Sequence, residues 1–314
     1  MFHYLITRPL GFIIEMIYRL VQNYGLTIIL FTVVVKLILL PLNIKSQKAM
    51  RKQQKIQPII AELQAKYKND KEKLQTEMMK VYKENEVSMT GGCLPMLLQM
   101  PILIGLYQVI QRPITYLAGV SEWTADLLQI VSDIRDKVAT TLPNILGNLG
   151  TMRVEDLVKH NQIQISRWCT ALGEQSEWTF NFNFLGLDLS NTPSVALSKI
   201  ISMDFSDMGT VLLILIPAFA VLTTWLSSKV LQNQSGNSAS NEQAAQMTSS
   251  MNIMMPIMTG FFTFTLPSGM GVYWTISSVL QIVQQVAVNK YLEKKGDDFV
   301  VKIPKQDSSK RKKR

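Results

Sequence analysis

Residues 26–41 read LTIILFTVVVKLILLP, an apolar run interrupted by one lysine, Lys36. Holding a cation inside a helix long enough to span a bilayer costs roughly 2.5–3.5 kcal/mol. A lysine kept at that cost faces a watery cavity or a partner, unless it snorkels to the nearer interface. Lys36 stands about ten residues into the run, roughly 15 Å along a helix rising 1.5 Å per residue. That is close to mid-depth, so a cavity is the preferred reading. No other apolar run carries a carboxylate that would pair with it.

The remainder of the chain agrees with a membrane protein. Apolar residues make up 47% of the 314, and the runs near 26–42, 93–111, 209–228, 252–266 and 270–289 approach spanning length. A soluble core would show shorter apolar segments with a clear polar face. Cys93 and Cys169 are too few and too far apart to suggest a disulfide framework or a metal site. The N-terminal sequence MFHYLITRP lacks a basic stretch leading into an apolar core and a small-residue cleavage site, so neither a cleaved signal nor a lipid-attachment cysteine is expected.

Charge sets the expected topology. Residues 43–92 carry 11 Lys/Arg against 6 Asp/Glu, and the tail from Lys290 carries 10 against 4. Residues 111–205 carry 7 basic against 10 acidic. Basic residues concentrate on the cytoplasmic side, which places 43–92 and the tail inside, 111–205 outside, and the N-terminus outside. The expected order begins with an external interfacial amphipathic helix (1–23). A transmembrane helix (24–42), a cytoplasmic helical hairpin (43–92) and a second transmembrane helix (93–111) follow. An extracytoplasmic loop (112–207) then leads to a third span (208–228) and a cytoplasmic loop (229–250). Two further spans (251–266 and 270–289) and a basic cytoplasmic tail (290–314) complete the chain.

Periodicity resolves two of these segments. Leu10, Ile13, Ile14, Ile17 and Leu20 recur at helical spacing, with Glu15, Arg19 and Gln22 elsewhere on the wheel, which suits a helix lying at the outer interface. The stretch Asn23-Tyr24-Gly25 argues for a break before the first span. In the hairpin, Ile56, Ile59, Ile60, Leu63 and Tyr67 form one apolar stripe, and Leu74, Met78, Val81 and Tyr82 form another. Pro58 is expected to kink the first helix. Asn69 and Glu72 have capping-box spacing, which starts the second helix after a tight turn. The outer faces are rich in Lys and Arg, as expected either of a solvated hairpin or of a surface docking acidic lipid, nascent chain or ribosome.

Several blocks together resemble one family. NYGL (23–26), KLILLPL (36–42), KSQK (45–48), GGCLPMLLQMP (91–101) and PSGMGVYW (267–274) are similar, in order and spacing, to the YidC/Oxa1/Alb3 membrane protein insertases. The match covers nearly the whole chain apart from the external loop and the last twenty or so residues, and it resembles the compact form found in Gram-positive bacteria. The resemblance implies an all-α polytopic membrane protein in the bacterial cell membrane. Its five transmembrane helices would surround a hydrophilic groove in the inner leaflet, with the helical hairpin in the cytoplasm. It implies a basic residue in that groove, and Lys36 stands at the matching position. Relatives commonly carry arginine there; lysine keeps the charge without the rigid five-donor fork.

Candidate groove residues follow. Thr32 lies four residues before Lys36, on the same helical face. Gln99 sits within span two, Ser227 near the inner end of span three, and Gln281, Gln284 and Gln285 cluster towards the cytoplasmic end of span five. Tyr273 and Trp274 align with an aromatic pair of the family, though interfacial anchoring would equally explain them. A threonine or serine alone is readily satisfied by its own helix backbone, whereas bare amides in lipid need partners. The resemblance also implies a slide for the incoming helix on spans three and five, here around Phe219, Leu222, Trp274 and Val279. Met247, Met251, Met254, Met255, Met258 and Met270 crowd the fourth span and its ends, where flexible thioethers serve either as gap fillers or as an adaptable apolar surface.

The function implied is that of an insertase and chaperone. It would ease short polar tails across the bilayer and release hydrophobic spans into lipid, alone or with the Sec translocon. Its partners would be nascent membrane proteins, the Sec translocon, the ribosome through the basic tail and hairpin, and anionic lipids. No small-molecule substrate, cofactor or metal is expected, and no covalent catalysis. The chain has no Walker-type phosphate loop, and His3 and His160 both lie outside the expected spans, against an intramembrane protease. No internal repeat suggests a transporter. A noncatalytic scaffold or assembly factor for other membrane subunits is the competing reading; it needs no hydrated cavity around Lys36.

Overall fold

The run that contains Lys36 forms a helix whose one face is sealed. The computed structural model describes residues 6–88, 94–120, 123–173, 176–233, 242–294 and 301–302, and the side chains of 94–99, 147–148, 231–233, 242–252 and 293 lie outside that description. Helix α1 (Arg8–Val21) starts with Pro9 in its first turn and stops where Gln22 takes a left-handed backbone (φ 51°). It buries Ile14 and exposes Phe12, Met16 and Leu20. Helix α2 (Tyr24–Ile38) follows, its first turn held by Asn23 Oδ1, which accepts from the Leu26 N–H at 3.0 Å.

A turn at Leu39 separates α2 from α3 (Leu40–Lys66), with Pro41 in the first turn of α3, where a missing N–H is harmless. Helix α3 runs through Pro58. Helix α4 (Lys71–Glu84) is capped by Asp70, whose Oδ1 accepts from the Lys73 N–H at 3.1 Å. The cap therefore falls one residue later than the expected Asn69, at a carboxylate that the helix N-terminus favours electrostatically. The two helices pack through Ile56, Ile60, Val81 and Tyr82, with Val87 just past α4 completing the cluster and Ile59, Leu63 and Met78 beside them. The apolar stripes read from sequence thus supply the hairpin core. Burial raises the Tyr82 phenol above its ordinary pKa, opposed by a hydrogen bond from Gln53.

Helix α5 (Leu94–Gln111) leads into a folded region where the sequence suggested only weak helical stretches. It comprises α6 (Pro113–Tyr116), α7 (Ala125–Thr141), α8 (Pro143–Leu146), a 3-10 turn (Gly147–Thr151), α9 (Val154–His160) and α10 (Gln162–Ala171). Val131, Val138, Leu157, Ile165 and Trp168 are fully buried where α7, α9 and α10 meet. Gln162 fastens α10 to α6, accepting from the Thr115 N–H (2.9 Å) and donating to the Thr115 hydroxyl (2.8 Å). A two-stranded antiparallel hairpin, β1 (Asn183–Phe184) and β2 (Leu187–Asp188), precedes α11 (Pro193–Ile201) and α12 (Met208–Leu212). Helices α13 (Leu215–Asn233), α14 (Glu242–Thr265) and α15 (Ser268–Lys294) are the last of the described elements.

The chain divides into two units. One comprises Met1–Leu37, Gln99–Thr224 and Pro256–Val279, and the other Ile38–Leu98, Trp225–Met255 and Leu280–Arg314. Among the described residues, Met208–Val230 is long and apolar enough to cross a membrane by itself. Tyr24–Ile38 passes that test jointly with Leu40–Lys66, and Met100–Gln111 and Ile253–Thr265 are shorter apolar helices.

Within the first unit, the folded region returns to the start of α2. The Tyr24 N–H donates to Asn181 O (3.0 Å), Asn23 Nδ2 donates to Asn183 O (2.8 Å), and Gly25 lies under the Phe184 ring. Tyr24 also meets the Phe182 ring edge-on at 4.9 Å and donates its hydroxyl to Ile110 O (2.8 Å). Ser268, opening α15, donates from N and Oγ to Asn191 O at 3.0 and 2.7 Å.

Candidate functional site

Tyr24, Ile28 and Thr32 stand four residues apart on α2 and are all buried; Phe31 and Val35 extend the same sealed face. Lys36 prolongs that stripe by one turn, so its side chain leaves from the protein-facing side of α2 and is half-buried. Leu26, Leu30, Leu37 and Ile38 occupy the exposed faces. Among the described residues Lys36 has no hydrogen-bond or ion-pair partner. Thr32 returns its hydroxyl to Ile28 O at 2.6 Å, the backbone-satisfied arrangement weighed from the sequence.

The candidate residues divide between the two units. Lys36, Thr32, Gln99, Tyr273 and Trp274 belong to the first, and Ser227, Gln281, Gln284 and Gln285 to the second. Gln99 lies on α5, but its side chain is outside the described residues. Tyr273 is buried within the protein, whereas Trp274 is half-buried and stacks flat on Phe262 (6.3 Å, 4°). In the second unit, Ser227 is half-buried, Gln281 is exposed, Gln285 is buried, and Gln284 holds a buried Nε2 with no partner among the described residues.

That second unit contains polar residues that sequence reasoning missed. Arg51 donates from Nε to Asn289 Oδ1 (3.1 Å) and from Nη2 to Asn289 O (3.2 Å). Ser46 Oγ, Gln47 Oε1 and Asn289 Nδ2 are buried without a partner among the described residues, as is Gln284 Nε2. Buried polar atoms left unpaired are costly and call for water or a polar guest. Ser46 and Gln47 were visible in the KSQK block; Asn289 had no local signal.

The apolar candidates are exposed: Phe219, Leu222 and Val279 each show close to half of their surface. Beside Phe219, in the first unit, a cleft of about 500 Å³ lies between α13 and α14, lined by Ile214, Pro217, Ala218, Val221, Gly260, Phe261 and Phe264. At Gly260 the two helices approach closely: a Cβ there would stand 2.9 Å from Val221 Cγ2. Met254, Met255 and Met258 are exposed on α14 and Met270 is buried; the side chains of Met247 and Met251 lie outside the described residues. So does most of the basic tail, of which residues 290–294, at the end of α15, and 301–302 are described.

A mostly helical chain with apolar helices, one of them long and apolar enough to cross a membrane, fits the class of helical membrane proteins. The chain belongs to the 60Kd inner membrane protein (YidC/Oxa1) family, whose model matches residues 16–295. It is similar to proteins named Membrane protein insertase YidC from three bacteria. That of Clostridium perfringens is 32% identical over 276 residues, covering 87% of this chain and 82% of the relative. That of Caldanaerobacter subterraneus subsp. tengcongensis is 30% identical over 276 residues, covering 88% and 90%. The Chlamydia caviae protein is 29% identical over 294 residues, covering 92% of this chain and 29% of its own length.

Proposed function

We propose that this chain is a membrane protein insertase and chaperone that eases short polar tails across the bilayer and releases hydrophobic spans sideways into lipid. The observation that carries the reading is Lys36, a cation on the sealed face of an apolar helix with no counter-charge among the described residues. The names of the relatives support the same reading.

In this account five spans cross the membrane, with the N-terminus outside and the C-terminus in the cytoplasm. A hydrated inner-leaflet groove replaces part of the hydration that a translocating tail loses, and Lys36 attracts its acidic residues. Thr32, Gln99, Tyr273 and Trp274 serve that groove, as do Ser227, Gln281, Gln284 and Gln285. The apolar face around Phe219, Leu222 and Val279 receives the client's hydrophobic span, whose transfer into lipid supplies the driving free energy. The hairpin and basic tail engage the ribosome and anionic lipid headgroups, and the Sec translocon assists with larger clients.

The test is insertion by the purified protein in liposomes free of Sec components, using a single-span client with a short acidic external tail. Protease protection of that tail above the level in empty liposomes is the expected result. Equal protection with and without the folded protein would leave the scaffold reading in its place.

A further inference from the structure

Two tight turns in the first unit carry residues that their backbone disfavours. The β1–β2 turn places Leu185 (φ 53°) and Gly186 (φ 80°) at its centre. Two central residues with positive φ are what a type I′ hairpin turn requires, and Asn-Gly or Asp-Gly is the usual choice. Helix α11 ends with the Met203 N–H donating to Ile200 O (3.1 Å) and the Asp204 N–H to Lys199 O (2.9 Å). That is the Schellman pattern, with Met203 (φ 55°) at the left-handed position that glycine normally fills.

A bulky apolar residue in the left-handed region is disfavoured, and packing would be the ordinary compensation. Neither residue is packed: Leu185 is 85% exposed and Met203 81%. The other described non-glycine residues with positive φ, Gln22 and Glu86, are polar. Ile201, Phe205 and Met208 are also largely exposed, so an apolar surface gathers where α11 turns into α12. The β1–β2 turn lies against α12, the helix that follows the α11 turn. β2 packs against α12, and a Cβ on Gly209 would lie 2.7 Å from Gly186 O.

The polar groups of this corner are satisfied locally. The Ser206 hydroxyl and N–H donate to Asp204 Oδ1 (2.6 and 3.1 Å), and the Thr210 hydroxyl and N–H donate to Asp207. Lys199 Nζ lies 3.9 Å from Asp204 and 3.6 Å from Asp207. One lysine against two aspartates leaves this corner a net negative charge, so its carboxylates stay on the water side while the apolar side chains beside them are free to meet lipid. Its apolar surface continues without a break in sequence into the exposed face of the spanning helix, through Met208, Leu212, Leu215 and Phe219.

We propose that Leu185, Ile201, Met203 and Phe205 form an apolar foot that rests in the outer leaflet of the bilayer, where the third span begins. The inference rests on the proposed topology, in which 112–207 is extracytoplasmic and 208–228 spans. Lipid is the occupant because the foot adjoins the start of that span.

Site-directed spin labelling of the full chain in liposomes tests it, with Cys93→Ser and Cys169→Ala removing the native thiols. Single cysteines replace Leu185, Met203 and Phe205, with Leu222 as the span reference and Thr140 as the solvent reference. Labels on the foot should be relaxed by oxygen in preference to a water-soluble nickel chelate, as at Leu222 and opposite to Thr140. In the Leu185→Asn/Met203→Asn double variant, whose asparagines suit both turns, the Phe205 label should move to the solvent pattern. Foot labels that match Thr140 while Leu222 stays lipid-like would overturn the foot alone. Labels shielded from both reagents would overturn it in favour of contact with a second copy. A Leu222 label that behaves as in water would overturn the span, and the foot with it.

Discussion

Asn85 and Lys302, 217 residues apart, are joined by two hydrogen bonds: the Lys302 N–H donates to Asn85 Oδ1 at 2.7 Å, and Asn85 Nδ2 donates to Lys302 O at 2.9 Å. Val301 packs beside them on the hairpin core. The carboxamide thus acts as a strand partner and fastens the middle of the basic tail to the hairpin. Two neutral hydrogen bonds contribute about 1–2 kcal/mol together. Asn85→Ala should therefore speed amide exchange at Lys302 by roughly 5- to 30-fold, while the amides around Ile60 and Val81 keep most of their protection. Asn85→Asp, able to accept but not donate, should fall between. Unchanged exchange at Lys302 in the alanine variant would sink the clamp.

Gly25 has no room for a side chain. A Cβ there would stand 2.5 Å from Phe184 Cγ and 2.6 Å from Phe184 Cβ, so relief requires backbone to move rather than a flexible tip. Gly25→Ala is expected to cost about 1–3 kcal/mol as an overpacked contact, seen as a lower Tm in detergent. Gly105→Ala, which meets Ile6 Cγ2 at 2.9 Å and Leu10 Cδ1 at 3.3 Å, should cost less. Equal melting of the two variants would contradict this account of the packing.

If the α13–α14 cleft receives client helices, a photoreactive side chain at Ala218, which lines it, should crosslink the hydrophobic span of a client halted during insertion. The same probe at Thr140 should not. Equal yields at both positions would remove the cleft from the client's path.

Asp207 caps α12, and the Thr210 hydroxyl and N–H hold its carboxyl below the ordinary aspartate value. A depressed folded-state pKa contributes stability that is present above the unfolded value, near ~3.9, and is lost as pH falls through the lower folded value. Amide protection in α12 should therefore be flat between about pH 7 and 5 and decline below about 4. Asp207→Asn should flatten the decline. A loss of protection centred near neutral pH would point to another group.

Legibility in the sequence followed the range of the interaction. Lys36, the hairpin stripes and the break before Tyr24 were readable because each is a pattern within one helix or at its end. The hairpin cap was misplaced by one residue because Asn69 and Asp70 are both capable and only the backbone chooses between them. The helices between 113 and 171 were obscure because Trp168, Val131 and Leu157 become a core only when α7, α9 and α10 meet; singly, each helix is nearly as polar as apolar. Arg51 with Asn289, and Asn85 with Lys302, join residues more than 200 apart, and nothing near either partner announces the other. Lys36, Gln99, Tyr273 and Trp274 came from matching blocks, and Thr32, Ser227 and the glutamines from polar positions within apolar runs; the structure adds which are sealed (Tyr273, Gln285) and which are exposed (Gln281).

The central claim is that the cation at position 36 lowers the barrier to tail translocation. Its most direct test is the liposome insertion assay with wild type, Lys36→Ala and Lys36→Arg, each verified as folded. The account predicts that alanine lowers the initial insertion rate of an acidic-tailed client about tenfold or more, equivalent to about 1.4 kcal/mol of barrier, while arginine retains it. An alanine variant as fast as wild type would contradict that claim and reduce Lys36 to a hydrated bystander.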